Sequence, residues 1–140
     1  MAKVTLTPLK IIDHEKGNIM HALKNTDFGF SAFGEAYFSA VNKGVVKGWK
    51  RHNQMLMNLI VPVGEIRIVA IDNSGLEPEI FDVVLNASTN YQRLTIEPGI
   101  WFAFQGLANE PNLLLNIASI THDPLEADNL PLSAFSQINW

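Results

Sequence analysis

The chain contains no cysteine, which excludes disulfides, thiolate metal sites and a cysteine nucleophile. Charge is sparse. Only 17% of the 140 residues are Asp, Glu, Lys or Arg, and 14 acids against 10 bases leave a formal charge of −4. A mildly acidic chain lacks the basic face that neutralises phosphates, which argues against nucleic acid as a partner. No apolar run approaches the roughly 20 residues that span a bilayer, and residues 1–8 form no secretory hydrophobic region. The expectation is a cytoplasmic protein with no membrane partner. The phosphate-loop and dinucleotide-binding glycine patterns are missing as well.

What the chain does have is apolar material, 47% of its residues, enough for one core. Its length fits a single domain over residues 1–140, since domains commonly hold about 100–150 residues. The dominant period is two. Segments 35–41, 55–61, 65–71, 82–85, 91–96, 100–104 and 112–118 read as short strands. They are separated by turn signals such as Asn42-Lys43-Gly44, Asp72-Asn73-Ser74-Gly75 and Glu97-Pro98-Gly99. Short β runs broken every 8–12 residues by Gly, Pro, Asn and Asp argue for an all-β sandwich or barrel. The one helical signal is Asp123-Pro124, an Asp cap followed by Pro at the first helical position.

Segments 55–61 and 66–71 are apolar on both faces. A small barrel should leave one face of each strand polar, so the two-sided pattern predicts a homodimer, or else a thick sandwich core. The tail, residues 130–140, is apolar and is expected to pack on the body or on a partner subunit.

The order of these pieces resembles a known family. Asp13-His14-Glu15-Lys16-Gly17-Asn18 is similar to the D-x-x-G opening of the cupin-fold dTDP-4-keto-6-deoxyhexose 3,5-epimerases. Residues 39–50, ending Val45-Val46-Lys47-Gly48-Trp49-Lys50, resemble their S-x-S-x-x-G-V-L-R-G-L-H segment. Gly64 to Asp72 resembles their G-E-V-x-D-V-x-V-D strand, and residues 94–104 their I-P-x-G-x-x-H-G-F. The 3,4-ketoisomerases of the same fold are also similar. Their R-G-x-H-A-H-K matches Lys47-Gly48-Trp49-Lys50-Arg51-His52-Asn53, and residues 113–119 resemble their V-L-L-V-L-A-S. The resemblance implies an RmlC-like cupin jelly-roll barrel. It also implies a nucleotide-sugar isomerase or epimerase of surface-polysaccharide biosynthesis, O-antigen or capsule, needing no cofactor and no metal.

Both families act beside a 4-keto group, which acidifies the adjoining C–H bond. A base removes that proton and an acid returns one, while hydrogen-bond donors hold the enolate oxygen. The family's base is a histidine where this chain has Lys50. Lysine is by itself a poor base at neutral pH and becomes one only where desolvation or a nearby cation intervenes. His52, two residues on, shares a strand face with Lys50. An imidazole, with an ordinary pKa of about 6.5, suits acid–base work. The expected proton-handling pair is therefore His52 and Lys50; the alternative is that both merely line an anion-binding cavity. The family's tyrosine acid falls near Ile120-Thr121-His122, where His122 is the available donor or else a solvated surface histidine. Phe102 replaces a family histidine.

Lys47 stands for a diphosphate-binding arginine. Candidate substrate-binding residues also include Arg51, Arg67, Tyr37, Asn58 and Trp101, with strand-surface, turn or core packing as the competing reading for each. Asp72 fits a turn, and Trp49 fits the core or an interface. Only His52 occupies the stretch where a metal-binding cupin carries its ligands, so no metal is expected. The competing function is a cupin that binds a sugar nucleotide or carbohydrate without turnover; a third is a barrel filled by its own side chains.

Overall fold

The computed structural model describes residues 3–109 and 111–140. Twelve strands run in order: β1 Val4–Pro8, β2 Ile11–Ile12, β3 Ile19–Met20, β4 Glu35–Ala40, β5 Val46–His52, β6 Met57–Val63, β7 Glu65–Asp72, β8 Glu79–Asn86, β9 Gln92–Ile96, β10 Trp101–Gly106, β11 Leu113–Ala118 and β12 Ala127–Asn129. They form two five-stranded antiparallel sheets, β1-β9-β6-β11-β4 and β12-β5-β10-β7-β8, with β2 and β3 as a separate pair. This is the expected all-β cupin jelly roll.

Alternation explains the packing. Met57, Leu59 and Val61 of β6 meet Ile66, Ile68 and Ala70 of β7, with Leu94 and Ile96 of β9 and Phe102 and Phe104 of β10 closing the core between the sheets. The intervening residues point outward, and here the structure corrects the reasoning that led to a dimer. Two-sided burial is met within the chain. Behind the first sheet, Asn58 donates to the Gly29 carbonyl, and the buried Arg93 reaches the carbonyls of Ala22 and Phe28. Behind the second sheet, Val69 and Ile71 pack with Trp49, Trp101, Ala103 and Phe135, against which Leu130, Ile138 and Trp140 lie. The apolar tail is thus a cover for its own sheet.

Pro62 lies inside β6. It falls where the pairing with β11 slips by one residue, between Val63 opposite Leu113 and Ile60 opposite Leu115. A bulge tolerates a residue that cannot donate to the ladder. Asp123 caps the short 3-10 turn Pro124–Glu126 by accepting from the Leu125 amide, with Pro124 at the predicted place. β12 follows at once and pairs with β5, Ala127 opposite His52. Asp72 makes the expected turn, its carboxylate accepting from the Ser74 amide at 3.0 Å and the Ser74 hydroxyl at 2.6 Å. Among the described residues, no helix is long and apolar enough to cross a membrane.

Candidate active site

A cavity of about 370 Å³ opens between the two sheets. One wall is β5, and its composition follows from a bulge. Phe102 pairs with Lys50 and Phe104 with Lys47, so β5 spends three residues where β10 spends two. In a regular strand Lys47 and Lys50 would face opposite ways; the extra residue turns both, and His52, toward the cavity. Gly48 makes the bulge possible. Its φ is +148°, and a Cβ there would lie 2.4 Å from the Cβ of Ala103. The opposite wall comes from β4 and β11, with Tyr37, Ser39 and Asn116. Asn116 is buried and fixes Ser39, donating to its hydroxyl at 3.1 Å and to the Leu114 carbonyl at 3.0 Å.

His52 is buried, and its Nδ1 pairs with Oε1 of the equally buried Glu126. The other oxygen of Glu126 accepts backbone N–H groups from Asn53, Gln54 and Met55 at 3.1–3.2 Å. Burial pushes the Glu126 pKa up. The His52 hydrogen bond, the Gln54 and Met55 amides and the imidazole's charge outweigh that and hold it below the ordinary glutamate range. A carboxylate that stays ionised and grips Nδ1 fixes the imidazole tautomer and leaves Nε2 to take a proton. The Phe102 ring lies stacked beside His52, centroids 6.0 Å apart. Across the cavity the Tyr37 pKa is raised, by burial first and by nearby Glu35 second, so its hydroxyl is held in the donor form. Lys47 donates to the Ala40 carbonyl at the rim. The Lys50 side chain has no hydrogen-bond partner among the described residues and lines the cavity.

The structure thus brings His52, Lys50, Lys47 and Tyr37 to one cavity. Five other candidates lie elsewhere. Arg51 points outward, pairing with Asp128 at 2.8 Å and stacking over Trp101 at 4.7 Å, as strand alternation requires. Trp101 is buried in that outer-face cluster. Arg67 pairs with Asp82 at 2.7 Å and donates to the Asn139 carbonyl. Asn58 sits behind the first sheet, accepting from Arg93 and Thr95. His122 is on an exposed loop away from the cavity. Sequence reasoning missed Glu126, which lies 74 residues from its partner, and Asn116, hidden in an apolar run. Among the described residues no three His, Asp or Glu side chains converge as a metal-ligand set.

No family model matches the chain. Its structure is similar to that of a dTDP-sugar isomerase from Desulfovibrio desulfuricans G20, with 35% identity, a TM-score of 0.88, and coverage of 94% of this chain and 85% of the other. It also shares the fold of the sugar 3,4-ketoisomerase QdtA from Thermoanaerobacterium thermosaccharolyticum. That match has 24% identity, a TM-score of 0.74 and coverage of 90% and 87%. A curated relative from Haloferax volcanii, named as the probable low-salt glycan biosynthesis epimerase Agl13, is 27% identical over 96 residues. The match covers 66% of this chain and spans 62% of that relative's length.

Proposed function

The chain belongs to the family of dTDP-sugar isomerases and epimerases built on the RmlC-like cupin fold, and from that premise we propose that it transfers a proton beside the ketone of a dTDP-linked 4-keto-6-deoxyhexose. The observation that carries the reading is the buried His52–Glu126 pair on the wall of a cavity that also receives Lys50 and Tyr37. His52 Nε2 takes the proton from the carbon next to the ketone. The bonding pair moves to the ketone oxygen as an enolate, and the charged Lys50 beside it offsets that negative charge. Tyr37, on the facing sheet, returns a proton. Delivery to the original carbon from the opposite face gives an epimer. The 3,4-ketoisomer forms when the enolate oxygen takes a proton from solvent, a proton is delivered to the former carbonyl carbon, and the C3 hydroxyl gives up its own proton to solvent as its oxygen becomes the new ketone. Lys47 at the rim is suited to the diphosphate as a point charge, without the bidentate grip of an arginine.

A product so made is a building block for surface polysaccharide, in keeping with the glycan role in the Haloferax relative's name. The assembly is proposed as a homodimer on new grounds: Phe38 on the edge strand β4 is 64% exposed, and Phe33 just before it is 65% exposed. An apolar sheet edge of this kind calls for a cover. Incubation with dTDP-4-keto-6-deoxyglucose and NMR of the product tests the function. A 3-keto product or a C3 or C5 epimer supports it. Tight binding with no product would instead favour the non-catalytic binding module.

A further inference from the structure

Three aromatic rings stand behind the catalytic wall. On the outer face of β5, Trp49 meets Phe135 edge-on at 4.9 Å and Trp140 at 5.8 Å. Its amide and carbonyl exchange hydrogen bonds with Leu130, both at 3.1 Å, and its indole N–H donates to Leu132. Trp140 is held from the other side by Arg67, whose guanidinium lies 4.9 Å over its ring and donates to the Asn139 carbonyl. Trp49 is also a residue of the β5 bulge, between Lys47 and Lys50. A bulge that is not pinned can slide by one position, and a one-residue slide exchanges inward for outward side chains.

We infer that Trp140 and Phe135 are positioning residues: by clamping Trp49 from outside they hold the bulge that turns Lys47 and Lys50 into the cavity. The inference rests on the proposed function only for what the two lysines then bind. His52 is held separately by Glu126, so the clamp governs substrate affinity more than the acid–base pair.

The structure supplies its own control. The Trp140 indole N–H is buried with no acceptor among the described residues, so Trp140→Phe keeps a ring and removes that donor. The test is NMR of the full chain carrying [13C]methylated lysines, with Lys47 and Lys50 signals assigned by single arginine variants, alongside titration with dTDP. In Trp140→Ala, the Lys47 and Lys50 signals should move toward those of the solvent-facing lysines, and dTDP affinity should fall about tenfold, a loss of about 1.4 kcal/mol. Trp140→Phe should restore both. The Lys43 signal, away from the clamp, should stay fixed throughout. Trp140→Leu, which retains apolar bulk but no ring, covers the case in which the alanine variant does not fold. Unchanged Lys47 and Lys50 signals in folded Trp140→Ala or Trp140→Leu would overturn the inference. If the unaltered protein fails to bind dTDP, the functional reading falls, while the lysine signals still decide the clamp.

Discussion

Replacing Glu126 by glutamine separates the catalytic from the structural role of the buried carboxylate. One oxygen of Glu126 accepts three backbone amides and the other pairs with His52 Nδ1. A glutamine has a single acceptor oxygen. Facing that oxygen to the three amides turns its NH2 toward Nδ1, which must then accept. The imidazole proton is driven to Nε2, the atom that has to receive the substrate proton. Most hydrogen bonds survive, so the stability cost is about 1–3 kcal/mol, while the wrong tautomer lowers turnover by about 10²–10⁴-fold. The pH dependence carries a sign. The folded pKa of Glu126 lies below the ordinary value of 4.5. Its contribution is therefore fully present above pH 4.5 and is lost as pH falls through the lower folded value. Asp72, held low by Ser74, and Asp128, held low by Arg51, act equally in both proteins and cancel in the difference. Urea unfolding from pH 6 to 3, together with product NMR, reads both effects. Turnover within threefold of the unaltered protein, or an equal acid slope in the two, would refute the reasoning.

His52→Asn should abolish turnover yet bind dTDP within a few-fold of the unaltered protein, since the lysines are untouched; parallel calorimetry and product NMR separate the two. Tyr37→Phe should lower product formation by about 10²–10⁴ while leaving thermal stability within a degree or two, because the half-exposed hydroxyl has no partner among the described residues. Gly48→Ala places a methyl 2.4 Å from the Ala103 Cβ at φ +148°, and backbone strain plus overpacking should cost about 2–6 kcal/mol, read as a large fall in Tm. Arg93→Met removes a buried guanidinium bonded to Asn58, Ala22 and Phe28; at about 1.5–3 kcal/mol per charged hydrogen bond it should cost at least about 3 kcal/mol and expose residues 21–33 to proteolysis.

The local rules carried much of this in the sequence. Alternation set Lys50 and His52 on one face and Arg51 on the other. Asp123-Pro124 marked the 3-10 turn; the bulge at Gly48 went unread. What alternation could not say was that the bulge adds Lys47 to the inner face, because that depends on how β5 counts against β10. Asn58 looked like a cavity residue because a polar group in an apolar strand needs partners, and Arg67 was a candidate by its place on the strand after Gly64, with a barrel-surface charge as the alternative. Arg93, the partner of Asn58, is buried behind the first sheet by a segment distant in sequence, and Arg67 pairs with the partly exposed Asp82 on the outer face of the second sheet. Glu126 stayed invisible for the same reason: nothing near it in the chain announces that β12 will lie beside β5. The two-sided apolar strands suggested a second subunit when their cover was this chain's own residues 21–33 and 130–140.

The most direct test is solvent exchange. The protein is incubated with dTDP-4-keto-6-deoxyglucose in deuterated water, and the sugar protons flanking the ketone are followed by NMR. Loss of a flanking proton signal with the unaltered protein, at a rate that collapses in His52→Asn, is the predicted result. Retention of those protons in a substrate that demonstrably occupies the cavity, or exchange that persists without His52, would contradict it.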